Sequence, residues 1–239
     1  MVETVAILSG GLATRLGPLT EKIPKALLEL AGKPFIDRQL ALLKNRGVRH
    51  VVLCLGHMGQ QVEQAVCNGE RWGLKVDYSY DGPELLGTAG ALQEARSYLG
   101  DLFWVIYGDS YLDFDYRKVS EHFELAGTGK LGLMTVFANQ NRWDKSNVVF
   151  NNGEVLRYDK REQTSEMHHI DYGAAILRAS ALDLIPKSPY DLACLYSELV
   201  DAGLMLGYEM TERFYEIGSH TGIDDAVRHF KELDKQLVK

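Results

Sequence analysis

TVAILSGGLATRL, residues 4–16, joins a short apolar run to a glycine-rich loop. The run from Thr4 to Leu8 is typical of a buried strand, and glycines directly after such a strand let backbone N–H groups approach an anion. In open α/β sheets, nucleotides bind at this carboxyl end of a parallel strand. The loop lacks the Gly-Lys-Ser/Thr ending of a Walker A motif and the third glycine of a dinucleotide fingerprint. Taken alone, its Gly-Gly pair most often marks an ordinary strand-to-helix turn.

The segments after this loop alternate between helix-like and strand-like patterns. Apolar periodicity predicts helices at residues 35–46, 59–72 and 88–99, and strands at residues 50–55, 74–80 and 102–106. Buried strands that alternate with helices indicate a parallel sheet covered on both faces.

The pattern changes after about residue 130, where short strands follow one another. We predict strands at residues 131–138, 147–150, 154–158, 174–177 and 213–217, and helices at residues 191–202 and 224–236. Asn151-Asn152-Gly153 is expected to form a hairpin turn. The whole pattern predicts a Rossmann-like α/β fold, with a mixed, mostly parallel sheet flanked by helices and a smaller antiparallel part. Residues 1–239 are expected to form one domain, with a nucleotide-binding half up to about residue 130 and a substrate-binding half from about residue 131.

Composition and charge narrow the class of protein. The chain has 239 residues, 46% of them apolar and 25% charged, which is ordinary for a soluble globular protein. Its net charge of −7 argues against a nucleic-acid surface, so phosphate ligands would be met by a few placed cations. No apolar run approaches the ~20 residues that cross a bilayer, and the first residues do not read as a signal peptide. Three cysteines without metal-type spacing argue against a disulfide framework. We therefore expect a cytoplasmic protein that binds neither nucleic acid nor membrane; a homo-oligomer stays open.

Two cations follow the glycine loop at a characteristic spacing. Gly10-Gly11, Thr14-Arg15-Leu16 and Pro24-Lys25, in this order, resemble the signature of the sugar-phosphate nucleotidyltransferases, or NDP-sugar pyrophosphorylases. The resemblance implies that Arg15 and Lys25 are catalytic, with Arg15 on the triphosphate and Lys25 near the reacting phosphorus. It also implies nucleotide contacts from the loop, at Leu8, Gly10, Gly11 and Thr14.

A second segment, ELLGTAGAL at residues 84–92, follows a turn and opens a helix. Thr88 is a good N-cap residue, and helix capping alone is enough to explain the residues found in this segment. The run also resembles the base-contacting stretch of the family, especially in members that transfer guanylyl or uridylyl groups. The implied contacts to the nucleotide are Glu84, Gly87 and Thr88, and the identity of the base stays open.

Two carboxylates are candidates for a magnesium site. Asp109, in IYGDS at residues 106–110, follows a buried strand, and Mg²⁺ prefers one or two carboxylates with phosphate oxygens and water. The motif resembles the Gly-Asp metal motif of the family, which implies that Asp109 is catalytic and binds Mg²⁺. Glu216, in FYEIGS, stands where the family usually has Asp, so direct ligation, ligation through water and a shifted metal all stay open. Asp224 and Asp225 are expected at the start of the last helix as partners of its dipole.

The residues predicted to bind the sugar phosphate lie in two later segments. Lys160 matches the family lysine that grips the phosphate of the sugar 1-phosphate, with Arg161 as its competitor. Asp171-Tyr172-Gly173 resembles the segment that contacts the sugar, although Tyr172 could instead belong to the core. The adjacent His168 and His169 would face opposite ways on a strand, so they are not expected to bind a metal together.

The resemblance implies a reaction of a nucleoside triphosphate with a sugar 1-phosphate that gives an NDP-sugar and pyrophosphate, with Mg²⁺ as cofactor. The short chain is expected to lack the C-terminal β-helix of longer relatives. It resembles heptose- and mannose-type guanylyltransferases and N-acetylmuramate-1-phosphate uridylyltransferase, which favours guanylyl or uridylyl transfer to a heptose, mannose or related sugar 1-phosphate. Two alternatives stay open: a cytidylyltransferase for a non-sugar phosphate such as phosphocholine, and a non-catalytic regulatory module that binds nucleotide sugars.

Overall fold

The computed structural model describes residues 2–237, and its strands form one large sheet and two small two-stranded sheets. In chain order the strands are β1 (Thr4–Ser9), β2 (Glu29–Leu30), β3 (Lys33–Pro34), β4 (His50–Leu55), β5 (Lys75–Tyr80), β6 (Leu102–Tyr107), β7 (Ser110–Tyr111), β8 (Gly132–Phe137), β9 (Val148–Asn151), β10 (Glu154–Tyr158), β11 (Ile170–Arg178), β12 (Met205–Met210) and β13 (Tyr215–Glu216).

Within the same residues, the α-helices are α1 (Phe35–Asn45), α2 (Gly59–Val66), α3 (Gly87–Glu94), α4 (Arg96–Leu99), α5 (Tyr116–Ala126), α6 (Leu192–Asp201) and α7 (His220–Leu237). Short 3-10 segments, such as the one at Lys25–Leu27, lie between them. Across the described part of the chain, we find no helix with both the length and the hydropathy of a transmembrane span.

The large sheet has nine strands in the order β5-β4-β1-β6-β11-β8-β12-β10-β9. The first four strands are parallel, and the pairings of the rest leave only β10 and β11 running against the other seven. This confirms the predicted Rossmann-like, mostly parallel α/β fold. Each antiparallel pair of the large sheet includes β10 or β11 from the second half, so that half continues the same sheet. The β9–β10 hairpin turns at Asn152 and Gly153, both with positive φ, as the sequence predicts.

The core lies on both faces of this sheet. Val5 and Ile7 of β1 are buried in one apolar cluster and Ala6 in another, because successive side chains of a strand point to opposite faces. A third, smaller cluster packs Phe230 of α7 against Phe35 of α1, with ring centroids 6.3 Å apart. This cluster fixes the last helix beside β13, which positions the end of the chain near the site described below.

Some predicted boundaries are wrong, and local backbone geometry explains why. The helix expected at residues 59–72 ends at Val66, because Cys67 and Gly69 both adopt positive φ. The helix expected at residues 88–99 is divided into α3 and α4 at Ala95. Neither α5 nor β12 is predicted by the sequence patterns.

The last helix also differs from its prediction. It begins at His220, four residues earlier than expected, so Asp224 and Asp225 lie beyond its first turn. Asp225 forms ion pairs with Arg213 and Arg228 and does not mark the helix start. These ion pairs, led by the hydrogen bond from Arg213, hold the pKa of Asp225 below its ordinary value.

Candidate active site

The carboxyl ends of β1, β4, β5 and β6 meet at one edge of the sheet, where a cavity of about 250 Å³ opens; we call it the glycine-loop cavity. Its walls are the loop after β1, the ends of β4 and β5, and the start of α3. Seven residues predicted from the sequence line it: Leu8, Gly10, Gly11, Lys25, Gly87, Thr88 and Asp109. The sheet edge therefore gathers segments that are far apart in sequence.

A second cavity, of about 660 Å³, lies next to the first; we call it the arginine cavity, because Arg15, Arg142 and Arg213 line it. The other predicted residues in its wall are Asp109, Lys160, Asp171, Tyr172, Gly173 and Glu216. The buried Nε of Arg213 has no hydrogen-bond partner among residues 2–237, although its Nη2 donates to Asp225. The cavity thus offers several cationic donors to an anionic ligand.

Asp109 lines both cavities and is the point at which they meet. Lys25 Nζ donates to Asp109 Oδ2 at 2.7 Å, and only 21% and 23% of the two side chains are exposed. A charge-assisted bond in such a partly dry place is stronger than a surface ion pair. The loop that carries Lys25 is therefore held against the end of β6.

Asp109 and Glu216 approach each other because of a very short sheet. Ser110 in β7 pairs with Glu216 in β13, and the Ile217 amide donates to the Asp109 carbonyl at 2.9 Å. Gly218 follows directly. A Cβ on Gly218 would lie 2.8 Å from Arg15 Nη2, 2.9 Å from Glu216 Oε2 and 3.2 Å from Asp109 Oδ2. These three charged groups thus surround one small space that only a glycine leaves open.

Lys160 extends into the arginine cavity from the segment after β10. Its Nζ donates to the hydroxyl of Tyr107 at 3.0 Å and lies 3.6 Å from Asp171 Oδ2. Asp171 is 3% exposed in its side chain and also accepts from the Gly173 amide at 3.0 Å. Tyr107 lines both cavities, so Lys160 is fixed at the boundary between them.

Burial raises the pKa of several groups in the glycine-loop cavity. It raises the pKa of Asp81 above the ordinary value, while a hydrogen bond from the Leu86 backbone opposes this shift. Burial, helped by the nearby charge of Asp81, raises the pKa of the Cys54 thiol to about 12. Cys54 is therefore a neutral thiol at pH 7 and does not act as a thiolate there.

Several predicted residues have a different setting from the one expected. Thr14 and Glu84 are exposed and line neither cavity. Thr88 does not cap its own helix; its hydroxyl accepts from the Leu192 amide at 2.7 Å and so satisfies the start of α6. Tyr172 is 2% exposed and packs among aromatic rings, which matches the core alternative, although it borders the arginine cavity.

Other residues of the two cavities are not predicted from the sequence. They are Asp81, His57 and Tyr107 in the glycine-loop cavity and Arg142, Trp143, Asn147 and Arg213 in the arginine cavity. A short Asp-Gly-Pro turn after a strand carried a signal for Asp81, since its strand ends at the same sheet edge. Nothing in the local sequence distinguishes Arg213 from a surface arginine.

The donor set suits a magnesium ion that is shared with a ligand. No group of three or more His, Cys, Asp or Glu side chains arranged for a metal occurs in residues 2–237. Asp109 and Glu216 face the same space beside Gly218. Two carboxylates, completed by phosphate oxygens and water, are what Mg²⁺ prefers, whereas zinc sites use more protein ligands.

The two adjoining cavities lie at the carboxyl ends of parallel strands, which is where open α/β sheets bind their ligands. The chain belongs to the nucleotidyl transferase family, whose model matches residues 4–149.

Two curated relatives illustrate this membership. The chain is 29% identical to a UTP–glucose-1-phosphate uridylyltransferase of Synechocystis sp., over 93% of this chain and 62% of that protein. It is 28% identical to the mannose-1-phosphate guanylyltransferase catalytic subunit beta of Xenopus tropicalis, over 89% of this chain and 60% of that protein. The chain thus spans about three fifths of the length of these relatives.

Solved structures share the fold over almost the whole chain. The structure of HddC from Yersinia pseudotuberculosis complexed with GMP-PN superposes with a TM-score of 0.79 at 25% identity, covering 96% of this chain and 100% of that one. A putative glucose-1-phosphate thymidylyltransferase from Bacillus anthracis has a TM-score of 0.79 at 20% identity, covering 94% of each chain, and supports the fold alone.

Proposed function

We propose that this protein transfers a nucleotidyl group from a nucleoside triphosphate to a sugar 1-phosphate and releases pyrophosphate. One observation carries the proposal: Asp109 borders two adjacent cavities and is paired there with Lys25 at 2.7 Å. A donor nucleotide in one cavity and an acceptor in the other would meet at this residue. Family membership and the two curated relatives support the reaction type, and a cytoplasmic location is part of the proposal.

The glycine-loop cavity is the proposed nucleotide site. Gly10 approaches Gly56 so closely that a Cβ would lie 3.1 Å from the Gly56 amide, which leaves a smooth backbone surface. Lys25 closes the cavity at its Asp109 end, next to Arg15 across the boundary. The triphosphate would lie at this cationic end, because the phosphate charges need positive partners in a protein of net charge −7.

The arginine cavity is the proposed sugar-phosphate site. Lys160 at its boundary with the nucleotide site would hold the phosphate of the acceptor. Trp143 is 42% exposed in the same wall and presents an aromatic surface on which a sugar ring can pack. Gly173, with φ +99°, lets β11 bend beside this wall.

Mg²⁺ is the proposed cofactor, held by Asp109 and Glu216 beside Gly218. When bound, it would neutralise negative charge on the phosphates. Glu216 already accepts hydrogen bonds from the Gly218 amide and the Ser219 hydroxyl, so its carboxylate is fixed toward this space.

The reaction needs positioning more than proton transfer. A phosphate oxygen of the sugar 1-phosphate would attack the α-phosphorus of the triphosphate, and the bond to the bridging oxygen would break, so that pyrophosphate takes the electron pair. A phosphate monoester with a second pKa of ~6 is already largely dianionic at pH 7, so no general base is required. Arg15, Lys25 and Lys160 would neutralise charge as it moves between the two phosphates.

The test is pyrophosphate release with every pairing of ATP, GTP, CTP, UTP and dTTP with glucose 1-phosphate, mannose 1-phosphate, a heptose 1-phosphate and phosphocholine. We expect release only with a sugar 1-phosphate. Asp109→Asn should abolish it, whereas Asp101→Asn, the same change at the exposed opposite end of β6, should not. Release with phosphocholine alone would establish a cytidylyltransferase of the other class, and no release with any pairing would leave only a binding module.

A further inference from the structure

Asp81 is a cavity residue for which the reaction above has no role. It directly follows β5, and its side chain lines the glycine-loop cavity. Its Oδ2 lies 3.2 Å from the position that a Cβ on Gly10 would occupy, so the absence of a side chain there leaves this oxygen open to the cavity. The Leu86 backbone lies near this carboxylate and partly offsets the rise in its pKa. A ligand that fills this space and displaces water must donate to this partly buried carboxylate, or leave it unpaired at a cost.

The order of the strands places Asp81 at the far end of the nucleotide site. Asp109 follows β6, Gly10 follows β1, Gly56 follows β4 and Asp81 follows β5, in the sheet order β6-β1-β4-β5. At ~4.8 Å between neighbouring strands, the ends of β6 and β5 are about 14 Å apart. A nucleotide whose phosphates lie at Lys25 and Asp109 therefore directs its base along this edge toward Asp81.

The start of α3 lines the same end of the cavity. Gly87 and Thr88 both contribute to the wall, and they belong to the first turn of a helix, where amides have no acceptor within the helix. The next two amides, of Ala89 and Gly90, donate to the Tyr190 carbonyl. Gly87 has φ +75°, and a Cβ there would lie 2.5 Å from the Tyr190 carbonyl oxygen, so the turn is tightly fixed. This end of the cavity thus combines backbone donors with one carboxylate acceptor.

The bases differ in what they present to such a pair. Guanine carries two adjacent donors, N1–H and the 2-amino group, next to the O6 acceptor. Uracil and thymine carry one N–H between two carbonyl acceptors, and adenine and cytosine carry an acceptor nitrogen beside their amino group. An ionised carboxylate only accepts hydrogen bonds. It matches guanine at two points and faces at least one repelling acceptor in each other base.

We propose that Asp81 is a specificity-determining residue that accepts hydrogen bonds from N1–H and the 2-amino group of guanine, while the Gly87 and Thr88 amides donate to O6. The preferred donor is therefore GTP. This inference rests on the proposed use of the glycine-loop cavity for the nucleotide, and it goes further by assigning the base and the residue that reads it.

The experiment measures dissociation constants of Mg-GTP, Mg-ITP and Mg-UTP by calorimetry without an acceptor, so that no turnover occurs. The proteins are wild type, Asp81→Asn and the control Glu94→Gln, which removes an exposed charge near Asp81 that lines neither cavity. We expect wild type to bind GTP at least tenfold more tightly than ITP, which lacks the 2-amino group, and than UTP. Asp81→Asn should weaken GTP binding about 10- to 100-fold and no longer distinguish GTP from ITP, and the control should behave like wild type.

Three outcomes would overturn the inference. They are a wild-type preference for UTP, equal binding of GTP and ITP by wild type, and an equal loss for all three nucleotides in Asp81→Asn, which would place Asp81 on the ribose. The GTP-to-ITP comparison uses wild-type protein, so it holds even if the variant does not fold. GTP-selective binding without any pyrophosphate release would refute the proposed reaction alone, whereas release with a preference for UTP would refute only the role of Asp81.

Discussion

Gly218→Ala is expected to damage activity while sparing the fold. The φ of Gly218 lies outside the left-handed region, so alanine fits the backbone. The added methyl would lie 2.8 Å from Arg15 Nη2 and 2.9 Å from Glu216 Oε2, about 0.6 and 0.5 Å inside the 3.4 Å at which ordinary contacts begin. Both atoms are the ends of flexible side chains, so they can move, and that movement displaces the groups that we assign to the triphosphate and the metal.

The two expected magnitudes are well separated. Replacing glycine with alanine at a compatible position changes the free energy of unfolding by about 0.4–1 kcal/mol, in the stabilising direction. A misplacement of ~1 Å in a reacting group can lower the rate by ~10²-fold, so we expect kcat/KM to fall about 30- to 100-fold. Pyrophosphate release and urea unfolding of the same sample measure both quantities.

A second change separates the two contacts. Adding Glu216→Asp to Gly218→Ala shortens the crowded carboxylate and should recover part of the activity. If the double variant recovers no activity, the defect is assigned to the displacement of Arg15. Full activity of the single Gly218→Ala variant at unchanged stability would refute the idea that Arg15, Asp109 and Glu216 act around this space.

Three further predictions concern Lys25, pH and the last helix. Lys25→Ala should lower pyrophosphate release at least 100-fold and keep the melting temperature within a few degrees of wild type. Lys22 is exposed in the same loop, and Lys22→Ala should change neither quantity. Normal turnover of Lys25→Ala would show that Lys25 is not catalytic. Burial holds the pKa of His229 below its ordinary value, so the unfolded chain takes up a proton there first as pH falls. The free energy of unfolding should therefore decrease below about pH 6.5, and His229→Gln should reduce that decrease in urea titrations. An unaltered pH dependence in the variant would contradict this prediction. Asp234→Asn should lower the free energy of unfolding in urea by about 1–2 kcal/mol without slowing turnover. The reason is that the buried Arg38 guanidinium, which lies 2.9 Å from Asp234 Oδ2, loses its anionic partner. Unchanged stability would show that backbone carbonyls alone satisfy Arg38.

The sequence predicts the half of the fold that is governed by local patterns. Apolar runs such as His50 to Leu55 form parallel strands of the large sheet, and Asn152-Gly153 forms the expected hairpin turn. These patterns work because burial and turn geometry act on adjacent residues. The 3-10 turn that carries Lys25 and the division of α3 from α4 were not predicted, since each depends on a few backbone angles that tertiary contacts decide.

The site is predictable only where a motif is contiguous. The sequence indicates the Gly-Gly loop and Asp109, because each follows directly after a strong strand pattern. Asp109 meets Glu216 through strands of two residues each, which are too short to show any periodicity. Asp81 and Arg213 enter the cavities through strand order and helix packing, which no window of adjacent residues contains.

The central claim is that Asp109 joins a nucleotide site to a sugar-phosphate site, and phosphorus NMR of the complete reaction tests it most directly. With GTP, Mg²⁺ and a sugar 1-phosphate, we predict equal amounts of pyrophosphate and an NDP-sugar whose diphosphate retains the sugar phosphate, with neither product formed by Asp109→Asn. Inorganic phosphate as the product, or identical spectra from wild type and Asp109→Asn, would contradict the claim.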